Sequence, residues 1–318
     1  MKIVVGGASG LIGKRLVSRL RARGDEVVAL VRRGGGDPPW ARGARLVEWD
    51  GKQVGPWAAE VNGAGAVVNL AGASVSGKRW SESYKAEILA SRVDSTRALV
   101  EAMRAAAKRP GAFVSASAVG YYGDRGDEPL DESASPGTDF LASVVQAWEK
   151  AALTAEALPV RVALVRTGVV LAAEGGALPM MLPPFKAFVG GPIGTGKQWF
   201  PWIHIEDEVS LFVWALDHDL RGPVNAAAPG GETMTAFCKS LGRVLHRPSW
   251  AKVPAAALRL VIGEFATVLT EGQHAVPAKA TRSGFRFRFD RSEAALADLL
   301  ARPPGSHEAR PGAGSTSA

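Results

Sequence analysis

The turn Gly7-Ala8-Ser9-Gly10-Leu11-Ile12-Gly13 constrains this 318-residue chain more than any other segment. An apolar run of strand character, residues 2–6, leads into it. Residues 11–23 follow with Leu11, Leu16, Val17 and Leu20 at helical spacing, and Gly24 stands where such a helix would end. A second apolar run occupies 27–31. Strand, helix and strand in such short succession predict a βαβ unit with a parallel pair and a right-handed crossover. The glycines permit a tight strand-to-helix bend and a close approach of backbone to phosphate, while the helix start presents unpaired N–H groups and a partial positive charge. Gly7, Ser9, Gly10, Leu11, Ile12 and Gly13 are therefore expected to cradle the pyrophosphate of a dinucleotide.

The end of the second strand selects between dinucleotides. In this kind of unit an acidic residue about 20 positions past the glycine turn holds the ribose 2′-hydroxyl of NAD. Arg32 and Arg33 stand there instead. Guanidiniums attract the 2′-phosphate that a carboxylate would repel, so NADP is the expected cofactor. The chain has 38 Lys and Arg against 31 Asp and Glu, a net charge of +7, and residues 1–50 alone hold ten basic and five acidic groups. The basic excess is thus local to the dinucleotide unit. No basic patch interleaved with aromatics appears elsewhere, and no nucleic-acid partner is expected.

Strands and helices go on alternating: strands at 66–70, 113–117 and 160–166, helices at 80–107 and 138–158. This is the pattern of an α/β fold with a doubly wound parallel sheet. After Thr167 the texture becomes Gly- and Pro-rich, with an apolar run at 199–205, helices near 206–217, 234–246 and 292–300, and an alternating strand at 285–289. The expected division is a dinucleotide-binding domain over 1–167, a smaller α+β substrate region over 168–300, and a disordered tail over 301–318, with a return of the chain to the first domain near 199–226 left open. Cys238 is alone, which excludes an internal disulfide or a multi-thiolate metal site, and no metal is expected. The apolar stretch 253–269 is broken by Arg259 and Glu264, short of the roughly 20 residues of a membrane span. The N-terminal run has no signal-peptide pattern. A cytoplasmic protein with no membrane partner is expected.

Several segments together resemble the extended short-chain dehydrogenase/reductase superfamily, and within it an atypical epimerase-like subfamily of the NAD(P)-dependent epimerase/dehydratase group. They are 6–13, Asn69-Leu70-Ala71-Gly72-Ala73, Gly77-Lys78-Arg79-Trp80, the run 115–123 from Ser115 through Ser117 to Tyr121-Tyr122-Gly123, Arg166-Thr167-Gly168-Val169-Val170-Leu171 and Trp202-Ile203-His204-Ile205-Glu206-Asp207. The resemblance covers nearly the whole chain to about residue 300. It implies a Rossmann-type domain carrying NADP, with a C-terminal region closing over a small-molecule substrate, and it leaves a homodimer open. By position, Leu70, Ala71 and Gly72 would line the adenosine side, and Thr167, Gly168 and Val169 the nicotinamide.

Active members of that superfamily pair a Tyr with a Lys four residues on, and this chain does not. Four residues after Tyr84, Tyr121 and Tyr122 come Ile88, Arg125 and Gly126, and four before Lys150 comes Gln146. Ser117 matches the superfamily serine and either holds a substrate oxygen or is satisfied by backbone. Tyr121 or Tyr122 either supplies the proton or packs under its loop. Lys78, Arg79 and Trp80 suit an anionic substrate with a flat group, or else form a solvated pair and a helix-start indole. His204 is a substrate-side candidate or a structural imidazole, and Glu206, Asp207 and Glu208 serve a helix start rather than a metal. Two functions follow: an NADP-dependent epimerase-like oxidoreductase of non-standard mechanism, acting on a small carbonyl or sugar-nucleotide-like substrate, or a non-catalytic NADP(H)-binding sensor or scaffold.

Overall fold

Strands buried on both faces form the centre of the molecule. The computed structural model describes residues 1–32 and 38–301, so Arg33 and residues 302–318 of the expected tail lie outside the described residues. Seven strands, β1 (Lys2–Gly6), β2 (Glu26–Val31), β3 (Arg45–Glu48), β4 (Ala66–Asn69), β5 (Ala112–Ala118), β6 (Arg161–Thr167) and β7 (Gly222–Ala226), form one sheet in the order β7-β6-β5-β4-β1-β2-β3. Every pair is parallel. Ile3 and Val5 of β1 pack on one face with Leu16, Val17 and Leu20 of α1 (Leu11–Ala22). Val4 packs on the other with Leu99 and Met103 of α2 (Glu82–Ala105). A strand buried on both sides reads as a continuous apolar run, which is why residues 2–6 do not alternate.

The helix α3 (Phe140–Leu153) lies beside α2, and α5 (Ile205–Asp217) beside α1; α4 (Ala177–Lys186) sits between α3 and α5 in the chain. The order reverses at β1, which has β2 on one side and β4 on the other. Crevices at such a reversal, outside the carboxyl ends of the strands, are where open α/β sheets take ligands. The glycine turn after β1 and Leu70-Ala71-Gly72 after β4 both open there.

After β6 the structure is more broken. Val169–Leu171 pairs with Trp202–His204, and Trp199–Phe200 with Glu232–Thr233, so the apolar run at 199–205 forms two short strands divided at Pro201. The expected strand at 285–289 does not form. Phe285 and Phe289 are buried as the alternation demands, but the N–H groups of Arg288 and Phe289 donate to the Asp207 carboxylate at 2.8 and 2.9 Å rather than to a neighbouring strand. An apolar alternation fixes which side chains go in; it does not supply the ladder partner.

Candidate functional site

Sterics make the glycine turn specific. Gly7 has φ +75°, and a Cβ there would stand 2.5 Å from the Leu70 carbonyl carbon. A Cβ on Gly13 would stand 2.7 Å from the Ala8 carbonyl oxygen and closer still to that of Gly7. The N-cap of α1 is Gly10, with no side-chain cap and no acid in the first turn. By contrast α2 is capped by Ser81 and α3 by Asp139. Ser9 and Gly10 are exposed, and Leu11 and Ile12 half-buried, so the first turn of α1 offers bare N–H groups at the sheet's carboxyl edge. Arg32 is exposed at the end of β2. Asn69 fixes the neighbouring loop: its Oδ1 accepts from Ala71 N at 3.0 Å and its Nδ2 donates to Thr96 Oγ1 at 2.9 Å. These groups suit a dinucleotide: donors for the pyrophosphate, an exposed cation for a 2′-phosphate, and glycines where backbone must come close.

Arg92 of α2 belongs to this edge and sequence reasoning missed it. A Cβ on Gly72 would lie 3.2 Å from Arg92 Cζ. Its Nη1 donates to the Ile88 carbonyl at 3.0 Å, its Cζ stands 5.3 Å from the Trp148 ring centroid, and among the described residues no carboxylate pairs with it. Burial holds its pKa down at about 10. An under-compensated guanidinium beside an exposed glycine loop is a ready anion ligand. Its signal in the sequence is only a basic residue inside a long helix.

The edge beyond β5 and β6 is a closed polar network. Ser117 Oγ donates to Glu149 Oε1 at 2.5 Å. Arg166 grips Glu149 with two parallel bonds, both 2.8 Å, and donates through Nη1 to Tyr122 Oη at 3.0 Å. Tyr122 Oη donates in turn to Asn225 Oδ1 at 2.7 Å. All five side chains are buried, Tyr122 and Asn225 completely. Burial pushes the Tyr122 phenol up to about 12 despite the adjoining Arg166 cation. Arg166 is shifted upward too: burial opposes its charge, but the Glu149 hydrogen bonds and attraction outweigh it. Tyr121 is half-buried, with its ring 3.5 Å from Arg166 Cζ, and among the described residues its hydroxyl makes no hydrogen bond. Gln146 holds the carbonyls of Gly137 and Ala142, and Lys150 is exposed, so α3 brings no Tyr-Lys pair to this edge.

Two sequence candidates occupy other roles. His204 is fully buried: Nδ1 accepts from Glu206 N at 3.0 Å as the N-cap of α5, Nε2 faces Asp298 at 3.3 Å, and the ring stacks on Phe289. That is a helix cap, not a surface for substrate. The half-buried Trp80 indole donates to the Val75 carbonyl at 2.8 Å and meets the Phe140 and Phe265 rings in tilted, edge-type contacts, so it is held as a packing residue of its loop. Lys78 and Arg79 remain exposed, with Arg79 lying over Gly263. Among the described residues no cluster of His, Cys, Asp or Glu could hold a metal, and no helix is long and apolar enough to cross a membrane.

A family model described as NAD dependent epimerase/dehydratase matches residues 3–227, the glycine turn and all seven sheet strands but the first residue of β1. The chain belongs to the NAD dependent epimerase/dehydratase family. A second model, a domain of unknown function named DUF1731, matches residues 253–299. The chain is similar to "Epimerase family protein SDR39U1 homolog, chloroplastic" of Arabidopsis thaliana, 42% identical over 94% of this chain and 87% of that one. It is 37% identical to Epimerase family protein YfhF of Bacillus subtilis (strain 168) over 95% and 98% of the two chains. The crystal structure of human epimerase family protein SDR39U1 (isoform 2) with NADPH matches at a TM-score of 0.86 and 35% identity, over 95% of this chain and all of that one.

One residue of this epimerase-family chain has a pH signature. Thr167 Oγ1 donates to Glu208 Oε1 at 2.6 Å, while Glu208 Oε2 is buried with no hydrogen-bond partner among the described residues. Burial pushes the Glu208 carboxyl up to about 8, the Thr167 bond acting the other way. The unfolded chain releases this proton near 4.5 and the folded chain near 8, so stability falls as pH rises between those values. Glu208→Gln removes that slope: relative to the parent, the variant's Tm rises as the pH is taken upward through this window. Parallel profiles would contradict a neutral Glu208.

Proposed function

We propose that the chain is an NADP(H)-binding oxidoreductase of epimerase-like architecture, acting on a small carbonyl or sugar-nucleotide-like substrate without the usual Tyr-Lys pair. The observation that carries the cofactor half is the bare first turn of α1 beside an exposed Arg32. That a 35%-identical human relative was crystallised with NADPH supports it. Gly7, Ser9, Gly10, Leu11, Ile12 and Gly13 take the pyrophosphate, Arg32 and Arg33 the 2′-phosphate, and Arg92 a further negative oxygen. Leu70, Ala71 and Gly72 line the adenosine side, and Thr167, Gly168 and Val169 the nicotinamide side. A cytoplasmic setting fits the single, buried Cys238.

NADPH, when bound, supplies a hydride. Ser117, whose proton is committed to Glu149, is left with lone pairs that would accept a hydrogen bond from the hydroxyl formed when the carbonyl carbon takes the hydride and its oxygen takes the proton. Tyr121 is the better proton donor of the two tyrosines, because Tyr122's hydroxyl is spent between Arg166 and Asn225. Lys78 and Arg79 bind an anionic part of the substrate. His204 and Trp80 have no part in this reading.

The closed network favours a second reading, a non-catalytic NADP(H) sensor. The test is consumption of reduced nicotinamide, followed by absorbance over a panel of carbonyls and nucleotide sugars. Turnover lost in Tyr121→Phe, with NADPH affinity unchanged, supports the enzyme. Tight NADPH binding with no oxidation on any substrate supports the sensor.

A further inference from the structure

The helix α6 (Met234–Leu245) ends in a basic cleft that the cofactor edge does not use. Lys239, Gly242, Arg243 and His246 recur at helical spacing and so share one stripe of α6 and its cap. Arg247 and Ser249, from the loop that follows, close the other side, and the six residues line a cleft of about 530 Å3. Gly242 forms its floor: a Cβ there would lie 2.7 Å from the Arg247 carbonyl oxygen and 3.2 Å from Ser249 Cβ.

The charge balance of the cleft is uneven. Lys239 and Arg243 are exposed, and Arg247 is half-buried. Among the described residues the one carboxylate paired with any of them is Glu293, 2.8 Å from Arg243. Cations in a last helical turn complement the helix dipole, which accounts for Arg243. It does not account for Lys239, a turn earlier, nor for two polar atoms on the cleft's wall, Arg247 Nε and Ser249 Oγ, which are buried with no hydrogen-bond partner among the described residues. Arg247 also lies against the Phe188 ring, 4.5 Å from Cζ to centroid, and the exposed Trp250 indole donates to the Phe188 carbonyl at 3.1 Å. Guanidinium, ammonium and hydroxyl donors with an aromatic edge match a phosphate carried on a flat body.

We propose that this cleft binds a small phosphate-bearing molecule, at a site separate from the glycine turn. None of its residues lies on the sheet or on the loops of the cofactor edge. The test is calorimetric titration of inorganic pyrophosphate into protein already saturated with NADPH. One equivalent binds the parent, and Lys239→Gln/Arg243→Gln weakens that binding at least tenfold while leaving NADPH affinity and Tm unchanged. Both changed residues are exposed, and Lys239→Gln alone, with a smaller loss in the same direction, guards against a folding effect of the pair. Absence of saturable binding, equal affinity in the double variant, or displacement of NADPH by pyrophosphate would overturn the proposal. It does not depend on the cofactor reading: if NADPH fails to bind, parent and double variant still differ toward pyrophosphate.

Discussion

Gly13→Ala is expected to abolish measurable NADPH binding and to destabilise the fold, whereas Gly10→Ala weakens NADPH binding alone. The added methyl at position 13 would press into the Gly7 and Ala8 carbonyls, backbone atoms that cannot rotate aside. Relief requires α1 to move from β1, an overpacking penalty of about 1–3 kcal/mol together with the loss of aligned N–H donors. At position 10 the backbone has φ −74°, which any residue adopts, and the added Cβ meets only the Gly7 carbonyl at 3.3 Å. Glycine-to-alanine changes at such positions are neutral or slightly stabilising. The methyl nonetheless stands where phosphate must approach, and a loss of roughly tenfold corresponds to about 1.4 kcal/mol. Calorimetric NADPH titration and thermal denaturation of both variants check this. Equal affinity in parent and Gly10→Ala would remove the pyrophosphate from this turn.

The second large effect is at Arg166. Arg166→Met leaves the Glu149 carboxylate buried with Ser117 as its remaining partner, and removing one member of a buried pair typically costs about 3–5 kcal/mol. Glu149→Leu does the same to the guanidinium. The double variant Arg166→Met/Glu149→Leu should recover most of the loss, since no charge is then stranded. Urea denaturation of the four proteins gives the coupling energy. Single variants within about 1 kcal/mol of the parent would mean that water reaches the pair.

Legibility in the sequence followed how local each feature is. β1, the glycine turn, α1 and β2 are set by neighbouring residues and stand close to where the periodicity places them. β3 escaped notice because four residues bounded by Arg45 and Glu48 bury nothing fully. α4 was hidden by prolines, but Pro179 sits in the first turn, where no N–H bond is needed, and Pro183-Pro184 fall near the end. Beyond β5 and β6, Ser117 and Tyr122 are conspicuous alone, yet their partners are Glu149, Arg166 and Asn225, the last of these 103 positions from Tyr122. No spacing rule connects such residues. His204 went the same way: its apolar neighbours mark burial, and only the fold shows that it caps α5 and faces Asp298.

In the proposed function the glycine turn and the arginine at the end of β2 hold NADP(H). Titrating the purified protein with NADPH and with NADH, and repeating both with Arg32→Glu, tests it most directly. The expected result is one NADPH per chain, bound at least tenfold more tightly than NADH, with that preference reduced or reversed in Arg32→Glu. Equal affinity for the two nucleotides, or a preference that Arg32→Glu leaves untouched, would contradict it.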